Sequence, residues 1–210
     1  MKTDLRRGSE GKVLLSAILT ELRRLGYEVQ IQVGDDAFTY PVDSQLSTWI
    51  IVIPRGQEET ALAHELGHIW LAAHGYHIFG LNPARKLREY LNEEDLEAIA
   101  YLFNSIADVA VELVMKEWGY NTSGQYMLIG LTSERDASAV MFLRMIGLMD
   151  EEEFVTFFHE DSWQYRLTKK INEIFVSDKS LNEKLDAIVD VLNEFLPFKI
   201  NKDLELVLDK

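Results

Sequence analysis

Between Ala61 and Ala73 the chain is apolar except at His64, Glu65 and His68, with Gly67 adding nothing polar. A run of that kind has to become a buried helix, yet burying several polar side chains together is costly unless each one is satisfied. The polar segment before it, Gln57-Glu58-Glu59-Thr60, places acids in the first turn, where the helix dipole favours them. On a helix, residues four apart share a face. His64 and His68 can therefore offer two imidazole nitrogens to one zinc ion, and Glu65, about 100° further round, can reach a water held there. The competing reading has two core histidines bonded to backbone and Glu65 on a surface.

The rest of the chain predicts the setting of that helix. Residues 10–25 carry Val13, Leu14, Ala17, Ile18 and Leu22 at helical spacing, with Gly26 as the stop. Residues 27–33 alternate apolar and polar, which predicts a half-buried strand. Gly34-Asp35-Asp36 reads as a turn, 37–42 as a short strand limited by Pro41, and 48–53 as a strand stopped by Pro54. After residue 92 the pattern is almost wholly helical: 93–118, 133–149, a segment from 150, 161–176 and 181–196. The tail 204–210 is a short strand or disordered. The expected fold is α+β, a small N-terminal mixed sheet packed on the H-E-x-x-H helix and followed by a mainly helical C-terminal half. Residues 1–120 would form the core and 121–210 a helical extension packed on it, or the two would make one domain.

A catalytic zinc usually has three protein ligands and one open position. The 93–118 segment is apolar nearly all round, so it should be buried, but Glu97, Tyr101, Asn104, Asp108 and Glu112 form one polar stripe along it. Buried carboxylates need a metal or a positive partner. Asp108 is the first candidate for the third ligand. Glu112 comes next, either as a ligand or as a group orienting a histidine, and Glu97 after it. Pairing of the stripe with Arg85, Lys86 or Arg88 is the alternative. His74 is a further candidate, since His64, His68 and His74 share the spacing of helices that break at a glycine and swing a third histidine to the metal. Here that position is Leu71, which lacks the backbone freedom of glycine.

Charge and composition narrow the partners. The net charge is −14, which argues against nucleic acid and anionic membranes, since both call for a cationic surface. No apolar run reaches the roughly 20 residues needed to span a bilayer. The basic N-terminus leads into an amphipathic segment without the apolar stretch of a signal peptide. With no cysteine, thiolate ligands, disulfides and a cysteine nucleophile are excluded. A cytoplasmic protein is expected.

The segment from Ile50-Ile51-Val52-Ile53 through Ala63-His64-Glu65-Leu66-Gly67-His68-Ile69-Trp70-Leu71 resembles the zincin superfamily, and within it the ImmA/IrrE-type zinc peptidases, cytoplasmic bacterial proteins that cleave regulators. Residues 107–115 are faintly similar to the second helix of that family. Its glutamate ligand, however, would fall two residues before Asp108, where this chain has Ile106. Asn104-Ser105-Ile106-Ala107-Asp108 is more similar to the N-x-x-A-D helix of other gluzincin-like metallopeptidases. The resemblance implies a zinc peptidase acting on a peptide or protein substrate. Zinc would be held by His64, His68 and Asp108, with Glu65 as general base. It also implies a sheet edge lying over the cleft and pairing with extended substrate. Tyr76, His77, Arg88, Tyr120, Tyr126 and His159 are candidates to stabilise the oxyanion. Two other readings stay open: a zincin-fold binding or regulatory module without peptidase activity, and hydrolysis of a non-peptide amide. Oligomeric state is not legible.

Overall fold

A computed structural model of the chain describes residues 5–43, 45–56, 58–80, 93–120, 137–196, 198–203 and 206–207. The fold is α+β, with a three-stranded mixed sheet near the N-terminus and a mostly helical second half. Helix α1 spans Leu15–Arg24 and buries Ile18 and Leu22. It starts later than the 10–25 periodicity predicts. Gly11 sits at φ +79°, Gly8 N–H donates to the Lys12 carbonyl at 2.8 Å, and Arg7 bridges Val13. Gly11 in what would be the first turn, with Gly8 just before it, favours that tight loop, because glycine costs a helix roughly 1 kcal/mol relative to alanine.

Strand β1 is Glu28–Gly34, β2 is Phe38–Pro41 and β3 is Thr48–Pro54. The sheet order is β1-β3-β2, with β3 parallel to β1 and antiparallel to β2. The turn into β3 is held by Asp43, whose carboxylate accepts from the backbone N–H groups of Ser47 at 3.1 Å and Thr48 at 2.7 Å. Central strand β3 turns Trp49, Ile51 and Ile53 into the core. The half-buried character predicted for β1 holds only at its start. Val29 packs on the core, but Ile31 and Val33 are 44% and 61% exposed. As an edge strand, β1 has neighbours on one side only, and among the described residues no helix covers its far end.

Helix α2, Glu58–Ala73, follows β3 directly and packs beneath it. It ends where Gly75 takes φ +84° and Tyr76 N–H donates back to the Leu71 carbonyl at 2.9 Å. The short helix α3, His77–Gly80, folds back against α2. Helix α4, Glu93–Trp118, packs across α2 and is buried along residues 105–115, apart from the half-buried Asp108. Then come α5 (Ala137–Met145), α6 (Glu151–Phe154), α7 (Trp163–Val176) and α8 (Leu181–Phe195). The last three start at side-chain caps from Asp150, Ser162 and Ser180, the last as a reciprocal capping box with Glu183. The tail forms a small antiparallel pair, β4 (Lys199–Ile200) with β5 (Leu206–Val207). Buried apolar side chains make one cluster running from Val13 to Ile200. No described helix is long and apolar enough to cross a membrane.

Candidate metal centre

The site forms where α2 crosses α4. Close crossing is possible because Gly67 has no side chain: a Cβ there would lie 2.7 Å from Val111 Cγ1. Val111 is three residues beyond Asp108, so this contact sets how near the Asp108 carboxylate comes to the α2 histidines. Asp108 Oδ1 lies 3.3 Å from His64 Nε2 and 3.4 Å from His68 Nε2. The three donor atoms all lie within 4.8 Å of one another, and together they can hold a metal ion.

Those separations fit the donor chemistry. A charge-assisted N–H···O bond runs about 2.7–2.9 Å, shorter than either contact. Donors about 2.0–2.1 Å from a tetrahedral ion sit roughly 3.3–3.4 Å apart. Each ring is also oriented from behind. A carbonyl can only accept, so His68 Nδ1–H donates to the Phe79 carbonyl on α3 at 2.8 Å, which turns Nε2 toward Asp108. His64 Nδ1 faces Glu112 Oε1 at 3.9 Å, an electrostatic contact from a carboxylate only 1% exposed. The two imidazoles meet edge to face, with centroids 5.1 Å apart.

Electrostatics follow from this packing. Burial alone would lower the His64 imidazole, but the Asp108 carboxylate outweighs it and holds it up at about 9. Burial would raise the Asp108 carboxyl, and the contacts of His64 and His68 instead hold it well below the ordinary range. Glu65 is pushed up by burial, against the pull of the two histidines. Its residue is 5% exposed and lines the cleft, and among the described residues nothing hydrogen-bonds its carboxylate. No side-chain oxygen in the described structure is both buried and unsatisfied, so the Glu65 oxygens open into the cleft.

The cleft is lined by Ala37 just before β2 and Phe38 and Thr39 on it, His64, Glu65 and His68 from α2, Phe79 and Gly80 from α3, and Phe103, Asn104, Ala107 and Asp108 from α4. It holds both polar machinery and an aromatic wall. Strand β2 forms one side of it and, among the described strands, is a sheet edge.

The remaining sequence candidates lie elsewhere. The His74 ring packs on Trp70 at 4.1 Å and its Nδ1–H donates to the Trp70 carbonyl, so it closes the end of α2. Tyr76 donates to Asp186 at 2.9 Å, and Tyr120 to the Val13 carbonyl at 3.1 Å. His77 faces Asp203, and His159 is a surface residue beside Asp161. None of these lines the cleft. Arg85, Lys86, Arg88, Tyr126 and the Glu97 side chain lie outside the described residues. Two contributors were not picked out from sequence. Asn104 reaches the cleft one turn before Asp108, and its place in the polar stripe was the available signal. The Phe79 carbonyl, which orients His68, carries no sequence signal because any residue could supply it.

No protein-family model, curated protein or solved structure matches this chain.

Proposed function

We propose that this chain is a zinc-dependent peptidase. The observation that carries the reading is the placement of Glu65 beside a His64–His68–Asp108 donor set whose atoms are 3.3 and 3.4 Å apart. Two imidazoles and one carboxylate also suit ferrous iron, but octahedral donors at about 2.1 Å would sit closer, near 3.0 Å. A carboxylate opening into the same cleft is what hydrolysis requires.

Zinc bound there supplies Lewis acidity toward a carbonyl oxygen and lowers the pKa of water. The protein's own groups do the rest. Glu65, raised by burial, accepts the proton of the attacking water and returns it to the leaving amine. The Asn104 amide is a polar group of the cleft wall on the side where the substrate carbonyl would lie, whereas the Thr39 hydroxyl in that wall donates to the Ile50 carbonyl at 3.1 Å. His68 is kept in one tautomer by the Phe79 carbonyl.

Among the described residues no strand pairs with the outer edge of β2, which supports a polypeptide substrate. Val42 N–H bonds to the Thr48 carbonyl at 2.8 Å, and Tyr40 and Phe38 follow at alternate positions in the same register. Alternation along an antiparallel ladder therefore turns the backbone N–H and C=O of Thr39 outward. Pro41 falls on the outward phase as well, where its missing N–H costs the ladder nothing. An extended chain can pair with this edge while passing the metal centre.

The test is Glu65→Gln with stoichiometric zinc. Wild type should cleave members of a peptide library, and the variant should keep its metal and lose cleavage. Unchanged cleavage by the variant would sink the peptidase reading. Metal retained by a wild type that cleaves nothing would favour the binding module instead.

A further inference from the structure

The face of the sheet turned away from α2 carries apolar side chains on the β2 side only. Phe38, Tyr40 and Val42 are 47%, 41% and 56% exposed. The rings of Phe38 and Tyr40 stack with centroids 5.9 Å apart and planes at 22°. Behind them on β3 lie Val52 and Ile50, their register partners. One strand further, on β1, the same rows end in Gln32 and Gln30. The apolar strip thus hugs the open edge rather than covering the whole face. It also joins the metal cleft directly, because Phe38 lines both. Tyr40 and Val42 lead away from the cleft along one direction of the strand.

We propose that Phe38, Tyr40 and Val42 form the subsite that selects the substrate. The substrate is an extended polypeptide with large apolar side chains at two positions, two residues apart, on one side of the bond presented to the metal centre. This rests on the peptidase reading and names the substrate class of that site. A chain added to the β2 edge turns alternate side chains to this outer face, about 4.5–5.5 Å from their neighbours on β2. Leucine, phenylalanine or tyrosine at those positions covers the half-exposed rings, and a polar residue leaves them wet. Side chains of the intervening residues turn to the Thr39 side, toward α2.

Binding, rather than cleavage, provides the test. Two labelled peptides differing only in Leu and Phe against two serines at positions i and i+2 are titrated into zinc-loaded Glu65→Gln protein and followed by fluorescence anisotropy. The apolar peptide should bind at least about tenfold more tightly, the effect of burying one large side chain. Adding Tyr40→Ser should bring the two within about twofold of each other, while Val33→Ser, on the opposite edge of the sheet, should leave the ratio intact. Equal affinities, no measurable binding of either peptide, or a preference that survives both Tyr40→Ser and Phe38→Ser would overturn the subsite. So would sedimentation showing a dimer that Tyr40→Ser dissolves, since a second copy would then own this face. Cleavage by wild type is scored separately: its absence removes the peptidase reading, whereas the affinity ratio alone decides the subsite.

Discussion

Gly67 and Val111 are in contact across the α2–α4 crossing with no room for a side chain on the glycine, since an added Cβ would stand 2.7 Å from Val111 Cγ1. The second of the two unspecified positions inside the H-E-x-x-H sequence is therefore a spacing element. Gly67→Ala should force the helices apart and cost about 1–3 kcal/mol, as overpacking does in other cores. Valine is β-branched and cannot swing its methyls clear. Trimming it should relieve the clash, so Gly67→Ala with Val111→Ala should regain stability and metal affinity relative to Gly67→Ala alone. Chemical denaturation and metal titration of the four proteins check this; simple additivity of the two substitutions would refute the spacing role.

Asp108 and Glu112 should separate cleanly in metal binding. Asp108 meets both histidine Nε2 atoms, so Asp108→Ala should abolish stoichiometric binding at micromolar zinc. Glu112 faces the far nitrogen of His64, at 3.9 Å, and not the Nε2 atoms that meet Asp108. Glu112→Gln keeps the volume of a buried side chain and should weaken the metal about 10–100-fold without changing its stoichiometry, as groups that orient a ligand do. Elemental analysis with competition against a chromophoric chelator measures both. Equal losses would mean that Glu112 is itself a ligand.

Proton competition should be visible in the pH dependence. In the metal-free protein the His64 imidazole is held up at about 9, above its ordinary 6.5, and the Asp108 carboxyl is held down. A raised histidine contributes stability that is complete below its unfolded value and disappears as pH climbs through 9. A depressed aspartate contributes stability that is present above its unfolded value and disappears in acid. The cluster thus steadies the metal-free chain most between the unfolded values of the two groups. A metal needs the imidazole neutral, so apparent affinity should rise by about tenfold per pH unit toward 9 and then level. Over the same range the metal-free protein should lose thermal stability. Affinity that is flat from pH 6.5 to 9 would show that His64 does not have to give up a proton.

How much of this was written in the sequence depends on the range of the interaction. The two histidines and Glu65 were legible because their geometry is local: a helix fixes the relation of residues four apart. Asp108 was legible for a different reason, since a carboxylate in an otherwise apolar helix asks for a partner. That Asp108, and not Glu112, meets both α2 histidine Nε2 atoms depends on how closely α4 crosses α2 at the Gly67–Val111 contact. Strand β2 read as a strand, but its position at the cleft edge depends on β3 inserting between it and β1, a topology no periodicity encodes. The helix expected over 10–25 forms but starts only at Leu15, because hydrophobic spacing takes no account of Gly8 and Gly11. Exposure of Ile31 and Val33 was missed because alternation shows which face of a strand is apolar, never whether anything covers it.

The orientation of His68 should depend on a glycine twelve residues away. Gly80 lets α3 lie so close to α2 that an added Cβ would stand 2.7 Å from both the His68 carbonyl and the Ala72 Cβ. That approach delivers the Phe79 carbonyl to His68 Nδ1. The His68 carbonyl is backbone and cannot step aside, so Gly80→Ala should lift α3 and break the hydrogen bond from His68. Nitrogen-15 spectra of the metal-free protein should show wild-type His68 with its proton on Nδ1, and the variant as a mixture of tautomers. Metal affinity should fall about 10–100-fold, the usual effect of losing a group that orients a histidine ligand. Loss of affinity with the tautomer unchanged would place the effect in general destabilisation, and the carbonyl would then have no part in preparing the site.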